Sequence, residues 1–284
     1  MSGIPQASIV IRTSNSLTNV GRALRAVRAQ QHSSYELVLV DSQSTDGTVA
    51  LGERHGARIV SLRPEDFTFG HALNLGCKAS RGDLVVLLSS DATPASDQWL
   101  RELLAPFDDP AVGGTYGRQL PYPGCDPITA RDLATAYGTA PRRQDSDPRF
   151  AASNGAIRRA LWRRHPFRTD LPCSEDFDWA RRIQGDGHVI EYVPSAPVYH
   201  SHFSSLVGIY RRFYQEAAGL RLSVPGARTS LASFLRDWQA RTREDWVHLF
   251  RSGAAWHWFG WVPAYRFCRS LGLHRGTWYS TTRG

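Results

Sequence analysis

Asp83-Leu84-Val85-Val86-Leu87-Leu88-Ser89-Ser90-Asp91-Ala92-Thr93-Pro94 decides the fold class. Leu84 to Leu88 is apolar without the period-two alternation of a half-exposed strand, the pattern of a parallel strand covered on both faces. The run stops at a single carboxylate. Pro94 then predicts a helix carried on by Trp99, Leu100, Leu103 and Leu104. Asp91 is therefore expected at the carboxyl end of a central strand, the edge where open α/β sheets bind ligands. A carboxylate flanked by small residues there can take a divalent cation and a phosphate; it can equally serve only as the cap of the next helix.

Working outward, the segments on the amino-terminal side repeat one arrangement. Ala7-Ser-Ile-Val-Ile-Arg12 ends in the polar Thr13-Ser-Asn15 before a helical pattern at Val20, Leu24 and Val27. Tyr35 to Val40 ends at Asp41-Ser-Gln-Ser-Thr-Asp46-Gly-Thr48 before a helix over 49–55, and Ala57 to Val60 is a third strand. Consecutive βα units of this kind predict a doubly wound, mostly parallel α/β sheet. No GxGxxG follows the first strand, which points away from a dinucleotide site. The loop after it has no Gly-rich, Lys/Arg-bearing sequence, which counts against nucleotidyl transfer. Asp41, Ser42, Ser44 and Asp46 offer acceptors for a nucleobase or ribose, or else form a helix cap and turn alone. Gly70 and Asn74 lie one helical turn apart and are expected to share a face toward the site. The stretch 113–150, rich in Pro, Gly, Arg and Asp, reads as a long functional loop with one short helix at 128–137. Ser153-Asn154-Gly155 is expected to lead into a basic helix over 158–164 whose first N–H groups face a sugar or phosphate.

Two further clusters carry chemistry. Ser174-Glu175-Asp176-Phe177-Asp178 reads as a helix start capped by Ser174 with three acids in its first turns. Such acids compensate the helix dipole or include a general base. His200 and His202, at i and i+2 after the strand-like 189–193, share one side of an extended chain and suit a metal or plain hydrogen bonding.

Composition adds limits. The chain has 284 residues and a net charge of +8, and all of that excess falls from residue 206 onward, where twelve arginines face four acids. The same region holds six of the nine tryptophans, Trp238, Trp246, Trp256, Trp258, Trp261 and Trp278. A basic, Trp-rich helical terminus fits anionic lipid, an anionic acceptor or a second subunit in a homodimer, unless these aromatics are simply core. With Lys78 the sole lysine and no nucleic-acid motif, nucleic acid is not expected as a partner. The four cysteines are widely spaced and suggest neither zinc nor a disulfide framework. Without a signal-peptide pattern or an apolar run of about 18 residues, the expectation is a cytoplasmic protein, with attachment to the inner face of the membrane left open. The expected division is a nucleotide-binding, catalytic domain at 1–205 and a helical region at 206–284.

The ordered series Thr13-Ser-Asn15, Asp41 to Thr48, Gly70 with Asn74, Gly82-Asp83, Leu88 to Pro94, Ser153-Asn154 to Trp162, Ser174 to Arg182 and Val198 to His202 resembles the family 2 glycosyltransferases of GT-A fold. The likeness is greatest to their bacterial rhamnosyltransferase-like branch and covers residues 6–215. It implies an inverting transferase using a nucleoside diphosphate sugar, dTDP-L-rhamnose first and a UDP-sugar next, with Mg²⁺ or Mn²⁺. The acceptor would be a glycan, a lipid-linked glycan or a small natural product. By resemblance Asp176 is the base, with Glu175 second. Asp91 and His200 hold the cation, with His202 second. Thr13, Asn15, Asp41, Ser44, Asp46, Asn74 and Ser90 contact the nucleotide, and Ser153, Asn154, Trp179, Arg181 and Arg182 the donor or acceptor. Two positions depart from the pattern. Ser89 replaces the first acid of the DxD motif, and Gln43 stands where Gly or Asp is usual. Ser89 keeps open a second reading, a nucleotide-sugar-binding regulatory module without catalysis.

Overall fold

The computed structural model describes residues 6–32, 34–201, 205–224, 226 and 228–279. Its amino-terminal half is the repeating βα plan: β1 (Ala7–Thr13), α1 (Leu17–Arg28), β2 (Tyr35–Asp41), α2 (Thr48–Arg54), β3 (Arg58–Ser61), α3 (Phe69–Ala79) and β4 (Leu84–Ser89). These four strands pair in parallel in the order β3-β2-β1-β4, with Val10 opposite Val38 and Leu87. The continuous apolar runs follow from cover on both faces. Ile9, Ile11, Leu39, Val86 and Leu88 meet α1 on one side, while Val10, Val38, Val40, Val85 and Leu87 meet α3 on the other. All five residues Leu84 to Leu88 are buried.

The second half is mixed in direction. β5 (Thr93–Pro94) is a two-residue strand, followed by α4 (Trp99–Leu104), β6 (Val112–Leu120), α5 (Pro127–Ala136), β7 (Arg142–Gln144), β8 (Asn154–Arg158), α6 (Arg159–Arg164), α7 (Glu175–Gly185) and β9 (Val189–Tyr199). The sheet continues β4-β8-β6-β9-β5, with β8 antiparallel to both neighbours, β6 parallel to β9, and β7 on β9.

Three expectations change here. Pro94 does not open a helix. It lies on the edge strand β5 opposite Val198, where its missing N–H is tolerated, and the helix begins at Trp99. The stretch 113–150 is not one long loop but holds the nine-residue β6 at the centre of the sheet. Its glycines serve close packing, since a Cβ at Gly117 would lie 2.0 Å from the Ala196 carbonyl oxygen and 2.4 Å from Asn154 Nδ2. Finally, Asn154 to Arg158 is a strand. Running antiparallel to β4, it carries the chain from Leu88 back to Leu84, so α6 starts beside Asp83, at the sheet edge opposite Asp91.

The chain clusters into two compact units. One holds residues 1–122, 133–170 and 175–201; the other gathers 123–132, 171–174 and 202–284. Within the second, α8 (Leu206–Ser223), α9 (Leu231–Ser252) and α10 (His257–Gly276) enclose Ile128, Ile209, Leu249, Val262 and Tyr265. The fully buried Arg266 is held by Asp245 at 2.5 Å and by both oxygens of Asp132 at 2.7 and 2.8 Å, and Asp245 also takes Arg131. A buried guanidinium is tolerated only when its donors are satisfied in this way. No helix among the described residues is long and apolar enough to cross a membrane.

Candidate active site

The strand ends β1, β2, β4 and β9, with the start of α7, supply the site. On the nucleotide side, two loops are tied together. Asp41, buried at the end of β2, accepts from the Ser44 N–H at 2.8 Å and the Ser44 hydroxyl at 2.5 Å. Ser44 Oγ accepts from the Asn15 N–H, and Asn15 Oδ1 from the Thr45 N–H. Asp46 accepts from the Leu17 N–H at the start of α1 and from Thr48 at the start of α2. Ser90 receives the Ser16 hydroxyl at 3.4 Å. Asn15 and Gln43 have left-handed φ of 41° and 50°. With Ser174, at 64°, they are the non-glycine residues with positive φ among the described residues, and all three border the predicted site. The Thr13 hydroxyl is buried without a hydrogen-bond partner among the described residues.

A row of contacts joins the two chemical ends. Asp176 Oδ2 accepts from the Ala152 N–H at 3.1 Å. The next residue, Ser153, accepts the Ser89 N–H on its carbonyl and the Gln119 side-chain amide on its hydroxyl at 2.8 Å. That amide bond turns Gln119 Oε1 to His200 Nδ1 at 2.7 Å, where it accepts the Nδ1 hydrogen and leaves Nε2 on the side of Asp91. Nε2 stands 3.3 Å from Asp91 Oδ1. Octahedral ligands about 2.1 Å from a small divalent cation lie about 3 Å apart, so this oxygen and nitrogen suit adjacent positions on Mg²⁺ or Mn²⁺. Tyr122 fixes the Asp91 backbone through its hydroxyl, which lies 3.2 Å from the Asp91 carbonyl oxygen and 2.6 Å from Thr93 Oγ1. His202 lies outside the described residues. Among those described, no group of three or more potential ligands gathers.

The acid pair is electrostatically unusual. Glu175 is buried. Desolvation first, then the neighbouring Asp176 carboxylate, push its carboxyl up, against the pull of Arg12. Desolvation also raises half-buried Asp176, opposed by the N–H groups of Ala152 and Phe177 and by Arg12. Those hydrogen bonds favour Asp176 as the member that stays ionised. Arg12 Nη1 is 3.8 Å from Glu175 Oε1, has no hydrogen-bond partner among the described residues, and its guanidinium lies over the Phe69 ring.

Several predicted contacts fall elsewhere. Asn154 is fully buried, accepting from Trp99 Nε1 and donating to the Ala196 and Arg118 carbonyls, so it braces strands and does not line a cleft. Trp179 is equally buried, among Phe150, Phe167 and Ile183. Asn74 bonds Trp162 and both backbone groups of Phe167. Gly70 faces the Arg168 carbonyl at 2.0 Å from a Cβ position, so that face of α3 packs on the chain and not toward a ligand. Arg181 and Arg182 both turn to buried Asp178. Ser174 does not act as expected: its hydroxyl donates to the Glu216 carbonyl within the second unit. Arg12 and Gln119 had no motif to announce them. Arg12 ends an apolar strand, and Gln119 lies in the strand that reads as a loop.

Residues 8–165, more than half the chain, match the family model described as glycosyl transferase family 2. The chain belongs to that family. This glycosyltransferase is 28% identical over 214 residues to the O-antigen chain rhamnosyltransferase WbaN of Salmonella anatum, covering 70% of this chain and 67% of that one. With the O-antigen chain rhamnosyltransferase RfbN of Salmonella typhimurium it shares 25% over 207 residues, 69% and 66% of the two chains. It thus spans about two thirds of the length of these relatives. Its fold matches that of mannosyltransferase PcManGT from Pyrobaculum calidifontis, in complex with GDP-Man and Mn²⁺, with a TM-score of 0.68, 18% identity and coverage of 96% and 87%. Glucosyl-3-phosphoglycerate synthase from Mycobacterium tuberculosis, with Mn²⁺ and UDP-glucose, gives a TM-score of 0.57 at 20% identity, covering 80% and 82%. The GT-A architecture expected from sequence is therefore the architecture of this family 2 enzyme, a mixed sheet with helices on both faces and a helical carboxyl-terminal region.

Proposed function

We propose that this glycosyltransferase moves a sugar from a nucleoside diphosphate sugar to an acceptor hydroxyl with inversion, and that Asp176 is the base. The observation that carries the reading is the row Asp176, Ala152-Ser153, Gln119, His200, Asp91. It ties a carboxylate of raised proton affinity to a paired oxygen and nitrogen donor through hydrogen-bonded or adjacent residues. A base works best when its proton affinity approaches the working pH, and desolvation moves Asp176 in that direction. Its carboxylate accepts the acceptor proton as the hydroxyl attacks the anomeric carbon and the nucleoside diphosphate departs. Buried Glu175 holds the proton beside it, with Arg12 keeping the pair from both becoming neutral.

Asp91 and His200 would hold the divalent cation, which supplies Lewis-acid stabilisation of the departing diphosphate. Gln119 fixes the ring that faces it, the supporting role common to metal-binding histidines. Thr13, whose buried hydroxyl has no partner among the described residues, and the Asn15–Asp41 loop junction are the proposed nucleotide contacts. The two curated relatives support dTDP-L-rhamnose as first donor to try, with UDP-sugars next and glycans, lipid-linked or small, as acceptors.

Asp176→Asn tests the assignment. Nucleoside diphosphate release is expected to fall by about 10²- to 10⁴-fold with donor binding intact; a variant that turns over near the wild-type rate removes Asp176 from the mechanism. If the wild type binds donor and turns over none of these sugars, the regulatory reading suggested by Ser89 takes its place.

A further inference from the structure

Helix α9 is amphipathic in an unusual sense. The face that carries Phe234, Thr242, Asp245 and Leu249 is buried in the second unit. On the opposite side of the helix, Arg243, Trp246, Val247, Phe250 and Arg251 form an outward stripe at i, i+3, i+4, i+7 and i+8, all exposed. The stripe runs to the α9–α10 turn, where Gly253 closes the helix in the left-handed conformation, with a φ of 63°. There Phe250 is 82% exposed and Trp256 85% exposed, the two most exposed of the large apolar side chains among the described residues. Single exposed apolar residues are ordinary, but two aromatics this exposed within seven residues of chain, with Arg251 between them, are not. Neither Arg243 nor Arg251 has an acid within ion-pair distance among the described residues, whereas Arg131 meets Glu244 and Asp245 and Arg241 meets Asp237.

We propose that the outward stripe of α9 and the α9–α10 turn form a docking surface for an anionic lipid bilayer, with Phe250 and Trp256 entering the headgroup boundary and Arg243 and Arg251 meeting lipid phosphates. The charge argues for this occupant. The region from residue 206 carries the whole +8 excess, and Arg243 and Arg251 on this face pair with no acid among the described residues. The aromatics argue for it too, because Trp and Phe beside Arg suit a boundary with one wet and one apolar side. The surface needs no donor, acceptor or catalytic assignment, so its test succeeds or fails independently of Asp176.

The test is co-sedimentation of the full chain with phosphatidylcholine vesicles, with and without one third phosphatidylglycerol. The wild type is expected to pellet with the anionic vesicles, to stay in solution with the neutral ones, and to be released by half-molar salt, which screens exposed charge. Phe250→Ser with Trp256→Ser is expected to weaken partitioning roughly a hundredfold, about tenfold for each aromatic withdrawn from the boundary. Arg243→Glu with Arg251→Glu is expected to weaken it by at least about tenfold. All four positions are exposed, so unchanged thermal melting should accompany both losses. The proposal is overturned if the wild type ignores anionic vesicles, or if either pair leaves binding intact. Self-association that the aromatic pair abolishes, with no vesicle binding, would assign the surface to a second copy and overturn it equally.

Discussion

Arg12→Met isolates the electrostatics of the acid pair. Methionine retains an apolar stem over the Phe69 ring and removes the cation that stands 3.8 Å from Glu175. At that separation the attraction is worth about 4 kcal/mol for an effective dielectric of 20 and about 1 kcal/mol in water. Dividing by about 1.4 kcal/mol per unit gives a rise of roughly one to three pKa units shared by Glu175 and Asp176. The sign is fixed: the base acts as carboxylate, Arg12 favours the carboxylate, and its loss moves deprotonation to higher pH. The assay is nucleoside diphosphate release, with kcat/KM followed against pH. The ascending limb is expected to move up by one unit or more, with activity lost at neutral pH and recovered in alkaline buffer; Arg12→Lys should move it less. An unmoved limb refutes the reasoning. So does a uniform loss at every pH with a raised donor KM, which would place Arg12 on the diphosphate.

Three further outcomes test the supporting structure. Gln119→Ala frees the His200 ring, and Mn²⁺ affinity measured by calorimetry should fall by about 10- to 100-fold; equal affinity would count against the Asp91–His200 assignment. Gly117→Ala forces a methyl group against the Ala196 carbonyl at the centre of the sheet, a clash expected to cost about 3 kcal/mol or more in denaturant unfolding. Asn74→Ala removes three hydrogen bonds to Trp162 and Phe167. It should lower stability by about 2–4 kcal/mol while leaving donor KM unchanged at temperatures where the variant is folded.

The amino-terminal sheet is legible because β1, β2 and β4 announce themselves doubly, as apolar runs and as runs that stop at Thr13, Asp41 and Asp91. β6 is hidden because the residues that let it pack, Gly113, Gly114 and Gly117, are those that mark loops in sequence. That one misreading conceals Gln119, since a side chain's direction is unknown until its strand is. Asn154 and Trp179 show the converse. Both belong to motifs of the family, yet their environment is the core: a polar motif residue can serve backbone carbonyls as readily as a substrate, and sequence does not separate the two uses. Arg12 owes its importance to Glu175, far along the chain, a pairing with no local signature.

The run Ala152-Ser153-Asn154 has a consequence for natural variation. Three successive residues touch, in turn, the acid at α7, the amide that sets His200, and the strands that frame the sheet. Each faces its partner because a turn closed by the Asn154 N–H on the Ala151 carbonyl fixes where Ala152 and Ser153 stand just before β8 begins. A single inserted or deleted residue between Ala151 and Gly155 would put all three out of phase at once. The same change at Asp145 or Ser146, exposed and joined side chain to side chain, would be absorbed. Length polymorphism among homologues should accordingly stop short of Ala151.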